Sequence, residues 1–562
     1  MLKQSYVHGA SNKTLLGETI GVNFDLAAKR WGDREALVVR KQGVRWTYNE
    51  LKKEADEFAA GLLSIGLDPG DRIGIWSPNN SEWVVAQYAT AKAGLILVNI
   101  NPAYRVAELE YALNKVGCKA LIMAASFKSS DYLSMIKELA PEVTKSKPGK
   151  LKSKRLPNLR SLIQIGGETS AGFFDFKEIA GLASAEHHEK ITALVDLLQF
   201  DDPINIQFTS GTTGFPKGAT LTHFNVLNNG YFTGESLKFT PQDRLCVPVP
   251  LYHCFGMVLS NIAALTHGAA LVFPDESFDP LSVLETVEEE RCTGLHGVPT
   301  MFIAELEHPR FQEFDLSSLR TGIMAGSPCP IEIMRRVVGE MHCKEMIIGY
   351  GMTETSPVIT ICETDDPIEK QVSTVGRIFP HVEAKIVDDE GRIVAPGETG
   401  ELLARGYNVM QGYWDDPERT AESIDAAGWM HTGDLATMDS EGFCNIVGRV
   451  KDMVIRGGEN IYPREIEEYL YRHPKISDVQ VFGVPDVKFV EELCAWIILK
   501  PEETASEEDI RDFCKGQIAH YKIPRYICFV DEYPMTITGK VQKFAMRDCM
   551  IEKLGLHETK TA

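Results

Sequence analysis

Thr209-Ser210-Gly211-Thr212-Thr213-Gly214-Phe215-Pro216-Lys217-Gly218 follows directly on the largely apolar run Ile204-Asn205-Ile206-Gln207-Phe208. Those ten residues hold three glycines, four hydroxyls and a lysine. Such a segment suits a polyphosphate. Glycines let backbone N–H groups approach phosphate oxygens, hydroxyls add donors, and the lysine brings mobile positive charge. It is not a Walker A loop, because Gly218 rather than Ser or Thr follows the lysine and the glycine spacing differs. A surface loop of small residues accounts for the composition. It does not account for hydroxyls interleaved with glycine and closed by Pro216-Lys217-Gly218, so the segment reads as phosphate-binding.

On either side the chain alternates short β-branched runs with helical patterns. Arg72-Ile73-Gly74-Ile75-Trp76 precedes a helical pattern over 82–93 and a strand over 95–99, and a second set starts at Ala120-Leu121-Ile122-Met123. This alternation predicts α/β architecture with largely parallel sheets. Residues 145–160 are basic, hold two prolines and show no usable period, which predicts an exposed loop. From about residue 374 short strands and turns take over: Ala384-Lys385-Ile386-Val387, Gly400-Glu401-Leu402-Leu403 and Gly442-Phe443-Cys444-Asn445-Ile446-Val447. A third texture follows Gly448-Arg449. It has a helix over 463–473, strands over 479–482 and 495–499, a helix over 507–519 and a strand over 526–530. The expected division is residues 1–449, with a β-rich part at about 374–449, and a small α+β domain at 450–562. No Gly/Ser linker marks the boundary, so motion there would be a hinge.

A chain of 562 residues exceeds one hydrophobic core. A formal net charge of −21 argues against general nucleic-acid binding, so an anionic ligand needs locally concentrated cations. Twelve cysteines without a C-x-x-C pair point to reduced thiols rather than a zinc site or disulfide framework. The apolar stretches 83–98 and 255–273 are interrupted by Gln87, Lys92, Asn261 and His267, and neither reads as an integral membrane segment. The first residues carry no signal core or presequence pattern, which leaves the cytoplasm as the expectation and the mitochondrial matrix as the alternative.

Other segments make sense around a nucleotide. Gly349-Tyr350-Gly351-Met352-Thr353-Glu354 sets an aromatic between glycines, suited to stacking under adenine, with a carboxylate four residues on that can hold Mg²⁺. Trp429-Met430-His431-Thr432-Gly433-Asp434 places an Asp after a turn glycine, where it can accept both ribose hydroxyls. Gly448-Arg449 can meet ribose or phosphate, and Thr536-Ile537-Thr538-Gly539-Lys540 presents a lysine on a turn. Singly, Asp434 reads equally as a cap and Lys540 as a solvated surface lysine. As an ordered set they are specific.

In that order the motifs resemble the ANL superfamily of adenylate-forming enzymes: acyl- and aryl-CoA synthetases, nonribosomal-peptide adenylation domains and firefly luciferase. The resemblance runs from about residue 19 to residue 547. Ser5-Tyr6-Val7-His8-Gly9, Asp202-Pro203-Ile204-Asn205-Ile206-Gln207-Phe208, Pro250-Leu251-Tyr252-His253-Cys254, Lys451-Asp452-Met453 and Gly457-Gly458-Glu459-Asn460-Ile461-Tyr462-Pro463 are similar to its medium-chain acyl-CoA synthetase group, acyl-CoA synthetase family member 2. The resemblance implies two α/β subdomains plus a β-barrel, capped by a mobile C-terminal domain. It also implies a ligase that activates a fatty acid, of medium chain length, through acyl-AMP and passes it to the thiol of coenzyme A. An aryl-CoA ligase or an enzyme loading a carrier protein in trans remains the alternative. ATP, Mg²⁺ and coenzyme A are the implied cofactor and substrates, and the partners are small molecules.

By the same resemblance, Thr209, Ser210, Gly211, Thr212, Thr213, Gly214, Phe215, Pro216 and Lys217 clasp the β- and γ-phosphates. Gly326 and Ser327 with Tyr350 and Gly351 frame adenine, and Thr353 approaches the α-phosphate. Glu354 helps hold Mg²⁺, and Asp434 and Arg449 bind ribose. Lys540 is the implied adenylation lysine, Lys451 sits at the hinge, and Gly457 and Gly458 line the pantetheine path. His253 alone reads as a core histidine; the resemblance makes it an aromatic gate beside the carboxylate site. Phe255, Met257, Val258, residues 297–302 and Gly351 would line the acyl pocket. They carry no acid or amide to recognise an amino group, which favours an alkyl chain.

The chemistry explains why such residues are needed. A carboxylate is already ionised at neutral pH, so its attack on the α-phosphorus needs no general base. The obstacle is repulsion: two like charges ~4 Å apart cost roughly 4 kcal/mol at an effective dielectric near 20, about a thousandfold in rate. A cation between the two anions offsets this, and Lys540 on a separate small domain can leave afterwards to admit the thiol.

Overall fold

The computed structural model describes residues 2–209, 216–327, 329–449, 452–456, 459–486, 488–515, 517–535 and 541–556. Two large sheets dominate. The eight-stranded sheet runs in the order Phe174–Asp175, Ser161–Ile165, Ala120–Ala124, Arg72–Trp76, Ile96–Asn99, Pro203–Thr209, Lys217–Thr222, Gly412–Tyr413. It is parallel until the last two pairings, which are antiparallel. The nine-stranded sheet is parallel through its centre, where Glu345–Gly351, Thr321–Ala325, Gly294–Leu295, Arg244–Cys246 and Ala270–Phe273 lie side by side. The α/β alternation expected around residues 72–124 is therefore present, with the strand Arg72–Trp76 on the expected residues.

Helix Ser81–Ala93 shows how local signals and packing combine. The Asn80 side chain accepts from the Trp83 N–H to start it, and Gly94, at φ 67°, ends it in a left-handed turn. Nearly every face is buried, so its polar residues need internal partners. Gln87 donates to the Met257 carbonyl at 3.1 Å and accepts from Asn261 at 2.7 Å. Lys92 pairs with both Asp25 and Asp56. The residues that interrupt the two apolar stretches thus tie them to each other and to neighbouring helices. No helix among the described residues is long and apolar enough to cross a membrane.

The β-rich part forms a five-stranded antiparallel sheet in the order Tyr6–His8, Val382–Val387, Gly400–Gly406, Met430–Met438, Cys444–Arg449. Its first strand comes from the chain's start, pairing Val7 with Ala384, which the expected range of 374–449 did not include. Residues 145–160 bear out the expected loop and refine it. They carry little regular structure, but Leu151, Leu156 and Leu159 are buried in the core beside the eight-stranded sheet while the basic residues face out. Burial of three leucines outweighs the basic composition.

Residues 454–556 contain a separate sheet and their own apolar clusters around Val454, Val481, Leu493 and Met546. The helices Pro463–Leu470 and Glu507–Cys514 are shorter than expected, and the hairpin strands Ile476–Asp486 and Val490–Leu499 are longer. Polar contacts among the described residues join this region to the rest: Arg464 donates to the Ile446 carbonyl of the antiparallel sheet at 2.9 Å, and Ser477 donates to Glu307, at the end of helix Pro299–Leu306, at 2.9 Å.

Candidate active site

Four adjacent parallel strands of the nine-stranded sheet send their C-terminal ends to one edge. His253 follows Arg244–Cys246, residues 297–302 follow Gly294–Leu295, Gly326 and Ser327 follow Thr321–Ala325, and Thr353 and Glu354 follow Glu345–Gly351. Ligands in open α/β sheets bind at such strand ends. Gly326 has φ 91°, a left-handed conformation that glycine adopts without strain. Ala325 pairs with Gly349, so Gly326 lies beside Tyr350 at the sheet end. A Cβ on Gly351 would stand 1.7 Å from the Pro357 carbonyl oxygen, so the turn into Thr353 requires glycine there.

The eight-stranded sheet contributes from the other side. Strands Pro203–Thr209 and Lys217–Thr222 pair antiparallel with Thr209 directly opposite Lys217, so the two ends of the glycine-rich segment lie side by side. Ser210, Gly211, Thr212, Thr213, Gly214 and Phe215 lie outside the described residues, and Pro216 accepts from the Tyr111 hydroxyl at 3.1 Å. Thr209 donates to Glu354 Oε1 at 3.1 Å, and the Tyr413 hydroxyl donates to the same oxygen at 2.8 Å. Lys217 Nζ donates to the Tyr413 hydroxyl at 2.8 Å and sits 4.2 Å from the centre of its ring. Burial lowers the Lys217 pKa below the ordinary lysine value, with Glu354 opposing the shift. Burial and Glu354 raise that of the Tyr413 phenol.

A second cluster joins the nine-stranded and antiparallel sheets. The Tyr350 hydroxyl donates to Asp434 Oδ2 at 2.6 Å, and Arg449 Nε meets Oδ1 at 3.1 Å. Asp434 and Arg449 face each other in the register of strands Met430–Met438 and Cys444–Arg449. The Asp434 N–H is held by Thr432 Oγ1 at 3.1 Å, which fixes the turn after Gly433. Burial and the Asp434 charge push the Tyr350 phenol well up, so it stays a hydrogen-bond donor.

The third cluster surrounds His253. Its Nδ1 accepts from the Phe255 N–H at 3.2 Å, which assigns the proton of the neutral ring to Nε2. Cys254 Sγ lies 3.9 Å from Thr353 Oγ1, linking this turn to the start of the Glu354 segment. Phe255–Ile262 then winds as a wide π-type turn, a helical form concentrated at functional sites. Of the expected pocket residues, Val258 and Phe302 are wholly buried core residues. Met257 is tied down by polar partners: its sulfur accepts from Asn99 at 3.3 Å and Gln207 at 3.1 Å.

Lys451, Gly457, Gly458 and Lys540 lie outside the described residues. Tyr413 is the site residue that the sequence did not reveal, because a two-residue edge strand gives no local signal.

The oxygen chemistry fits a hard divalent cation. Glu354 Oε1 is taken by two donors, whereas Oε2 accepts no hydrogen bond among the described residues. No group of three or more His, Cys, Asp or Glu among the described residues could hold a metal by itself. One carboxylate with hydroxyl neighbours is the donor set Mg²⁺ uses when substrate phosphates and water complete its shell.

A family model described as AMP-binding enzyme matches residues 24–414, and one described as AMP-binding enzyme C-terminal domain matches residues 465–540. The chain is 49% identical over 558 residues to the mitochondrial medium-chain acyl-CoA ligase ACSF2 of Danio rerio, covering 99% of this chain and 92% of that one. It is 49% identical over 543 residues to the putative acyl-CoA synthetase YngI of Bacillus subtilis (strain 168), covering 96% and 99%. Its fold is similar to that of the anthranilate CoA ligase AuaEII in complex with anthranoyl-AMP, with a TM-score of 0.85 and 26% identity, covering 97% of this chain and 99% of that one. With strand ends, hydroxyls, a lysine and two carboxylates gathered as a nucleotide requires, the chain belongs to the AMP-binding enzyme family of the ANL adenylate-forming superfamily.

Proposed function

We propose that the protein is an AMP-forming fatty acid–CoA ligase that takes a medium-chain acid through acyl-AMP to its thioester, releasing AMP and pyrophosphate. The observation that carries this is 49% identity, over nearly the whole chain, to a relative named a medium-chain acyl-CoA ligase. The site geometry supports it. Thr209 and Lys217 stand at the two ends of the segment that takes the β- and γ-phosphates in this reading, to which residues 210–215 belong. Glu354 presents one oxygen to Mg²⁺, which when bound neutralises phosphate charge and polarises the phosphorus under attack. Asp434 takes the ribose hydroxyls, with Arg449 beside it and Tyr350 and Gly326–Ser327 around adenine. Thr353 stands near the α-phosphate, and the His253 ring, locked by its own backbone, walls the carboxylate site rather than acting as a base.

Residues 450–562 form the mobile unit in this account. Lys540 bridges the carboxylate and the polyphosphate during adenylation. Rotation about Lys451 then removes it and brings Gly457 and Gly458 to the path of the coenzyme A arm. The thiol attacks the acyl carbonyl, the carbonyl carbon–oxygen bond to phosphate breaks, and AMP leaves. All twelve cysteines are free thiols, which supports a reducing compartment, the cytoplasm or the mitochondrial matrix.

The likeness to an anthranilate CoA ligase favours aryl acids as the second reading. Pyrophosphate release with a ladder of C4–C18 fatty acids, benzoates and amino acids, with and without coenzyme A, separates them. The proposal expects a maximum at medium-length alkyl acids and AMP release that depends on coenzyme A. A response confined to benzoates selects the second reading, and one confined to amino acids rejects both.

A further inference from the structure

Lys217, Tyr413, Glu354 and Thr209 form one hydrogen-bonded chain, and Tyr413 has no part in the mechanism above. An ammonium only donates and a carboxylate only accepts, so the Tyr413 hydroxyl must accept from Lys217 and donate to Glu354. Tyr413 pairs across the sheet edge with Ala219, two residues along the strand from Lys217. That diagonal places its ring beneath the Lys217 ammonium. Packing explains the ring, which is buried against the core. It does not explain the hydroxyl, whose desolvation is offset by these two partners and by a side-chain hydrogen bond with Ser423.

A neutral hydroxyl between the two charges has a consequence that a direct ion pair would lack. Lys217 Nζ has three donors and commits one to Tyr413, while Glu354 keeps Oε2 unengaged among the described residues. Both charges are held in place, yet neither is neutralised by the other. We propose that Tyr413 is a positioning residue for adenylation, aiming Glu354 at the cation and holding Lys217 ready for the polyphosphate. This rests on the ligase function proposed above.

The test is Tyr413→Phe, which keeps the ring and removes the hydroxyl. Two readouts are needed: the magnesium dependence of pyrophosphate release with octanoic acid, and the rise in melting temperature caused by ATP, with magnesium and with EDTA. One hydrogen bond to a charged group corresponds to about a tenfold rise in half-saturating magnesium. Turnover at saturating magnesium falls by less than about threefold, and the ligand-free melting temperature stays within about 2 °C. The ATP-induced rise shrinks more with magnesium than with EDTA. In a Glu354→Gln background, Tyr413→Phe shifts the magnesium dependence by less than about twofold. An unchanged magnesium dependence overturns the proposal. So does a uniform loss of activity at every magnesium level with a lowered ligand-free melting temperature, the mark of a packing role. If the wild type releases no pyrophosphate with any acid, the ligase function fails, and the ATP-induced melting shifts still decide the role of Tyr413.

Discussion

Asp434→Ala combined with removal of one ribose hydroxyl from the nucleotide tests the ribose assignment without relying on activity loss alone. In the structure the carboxylate is buried, accepts from Tyr350 at 2.6 Å and meets Arg449 at 3.1 Å. The Arg449 side chain is 54% exposed, so that ion pair contributes only roughly 0–1 kcal/mol. A hydrogen bond from a ribose hydroxyl to the buried carboxylate is the larger quantity, about 1.5–3 kcal/mol, or ~10- to 150-fold in kcat/KM. The wild type should therefore prefer ATP over 2′-deoxy-ATP by about that factor in pyrophosphate release with octanoic acid. Asp434→Ala should lower kcat/KM for ATP by a similar factor while bringing the preference for ATP close to one. Thr432 also hydrogen-bonds the Tyr350 phenol, so the cost to folding is about 1 kcal/mol, visible as a small fall in melting temperature. A variant that keeps the wild-type preference would refute the placement of ribose on Asp434, however much activity it lost.

Lys217 loses its charge, and with it phosphate affinity, as pH rises through a pKa that burial has lowered, so kcat/KM for ATP should fall at a pH below the ordinary lysine value of ~10.4. Lys217→Arg, charged throughout, should move that fall to higher pH, and an unmoved profile assigns it to another group. Lys540→Ala should cut acyl-AMP formation by about a thousandfold, the repulsion it offsets, yet leave thioester formation from synthetic acyl-AMP largely intact. Equal loss in both half-reactions would contradict that division of labour. Val490 is a β-branched residue at φ 72°, 54% exposed, so Val490→Gly relieves ~1–2 kcal/mol of strain and returns part of it as unfolded-chain entropy. Urea unfolding should show a net gain of about 0.5–1 kcal/mol, and a loss would mean that the side chain packs more than its exposure implies.

The parts of the molecule written in contiguous residues were legible. The strand Arg72–Trp76 announces itself by local composition, and Thr209, Lys217 and Glu354, which the structure joins through Tyr413, lie in segments that the sequence singles out. Non-local pairing was not legible. Strand Tyr6–His8 joins a sheet whose next strand begins at Val382, and no pattern in three residues specifies that partner. Tyr413 acquires its role because an edge strand brings it diagonal to Lys217 while another sheet delivers Glu354. The loop over 145–160 was legible, but the burial of Leu151, Leu156 and Leu159 was not, because lysines dominate the composition and the leucines follow no helical or strand period.

Octanoic acid carrying ¹⁸O in both carboxylate oxygens, incubated with the protein, ATP, Mg²⁺ and coenzyme A, tests the attack on the α-phosphorus most directly. Carboxylate attack there followed by thiol attack at the carbonyl carbon leaves one labelled oxygen in each AMP and none in pyrophosphate. Thioester formed with unlabelled AMP, or with label in inorganic phosphate, would contradict it.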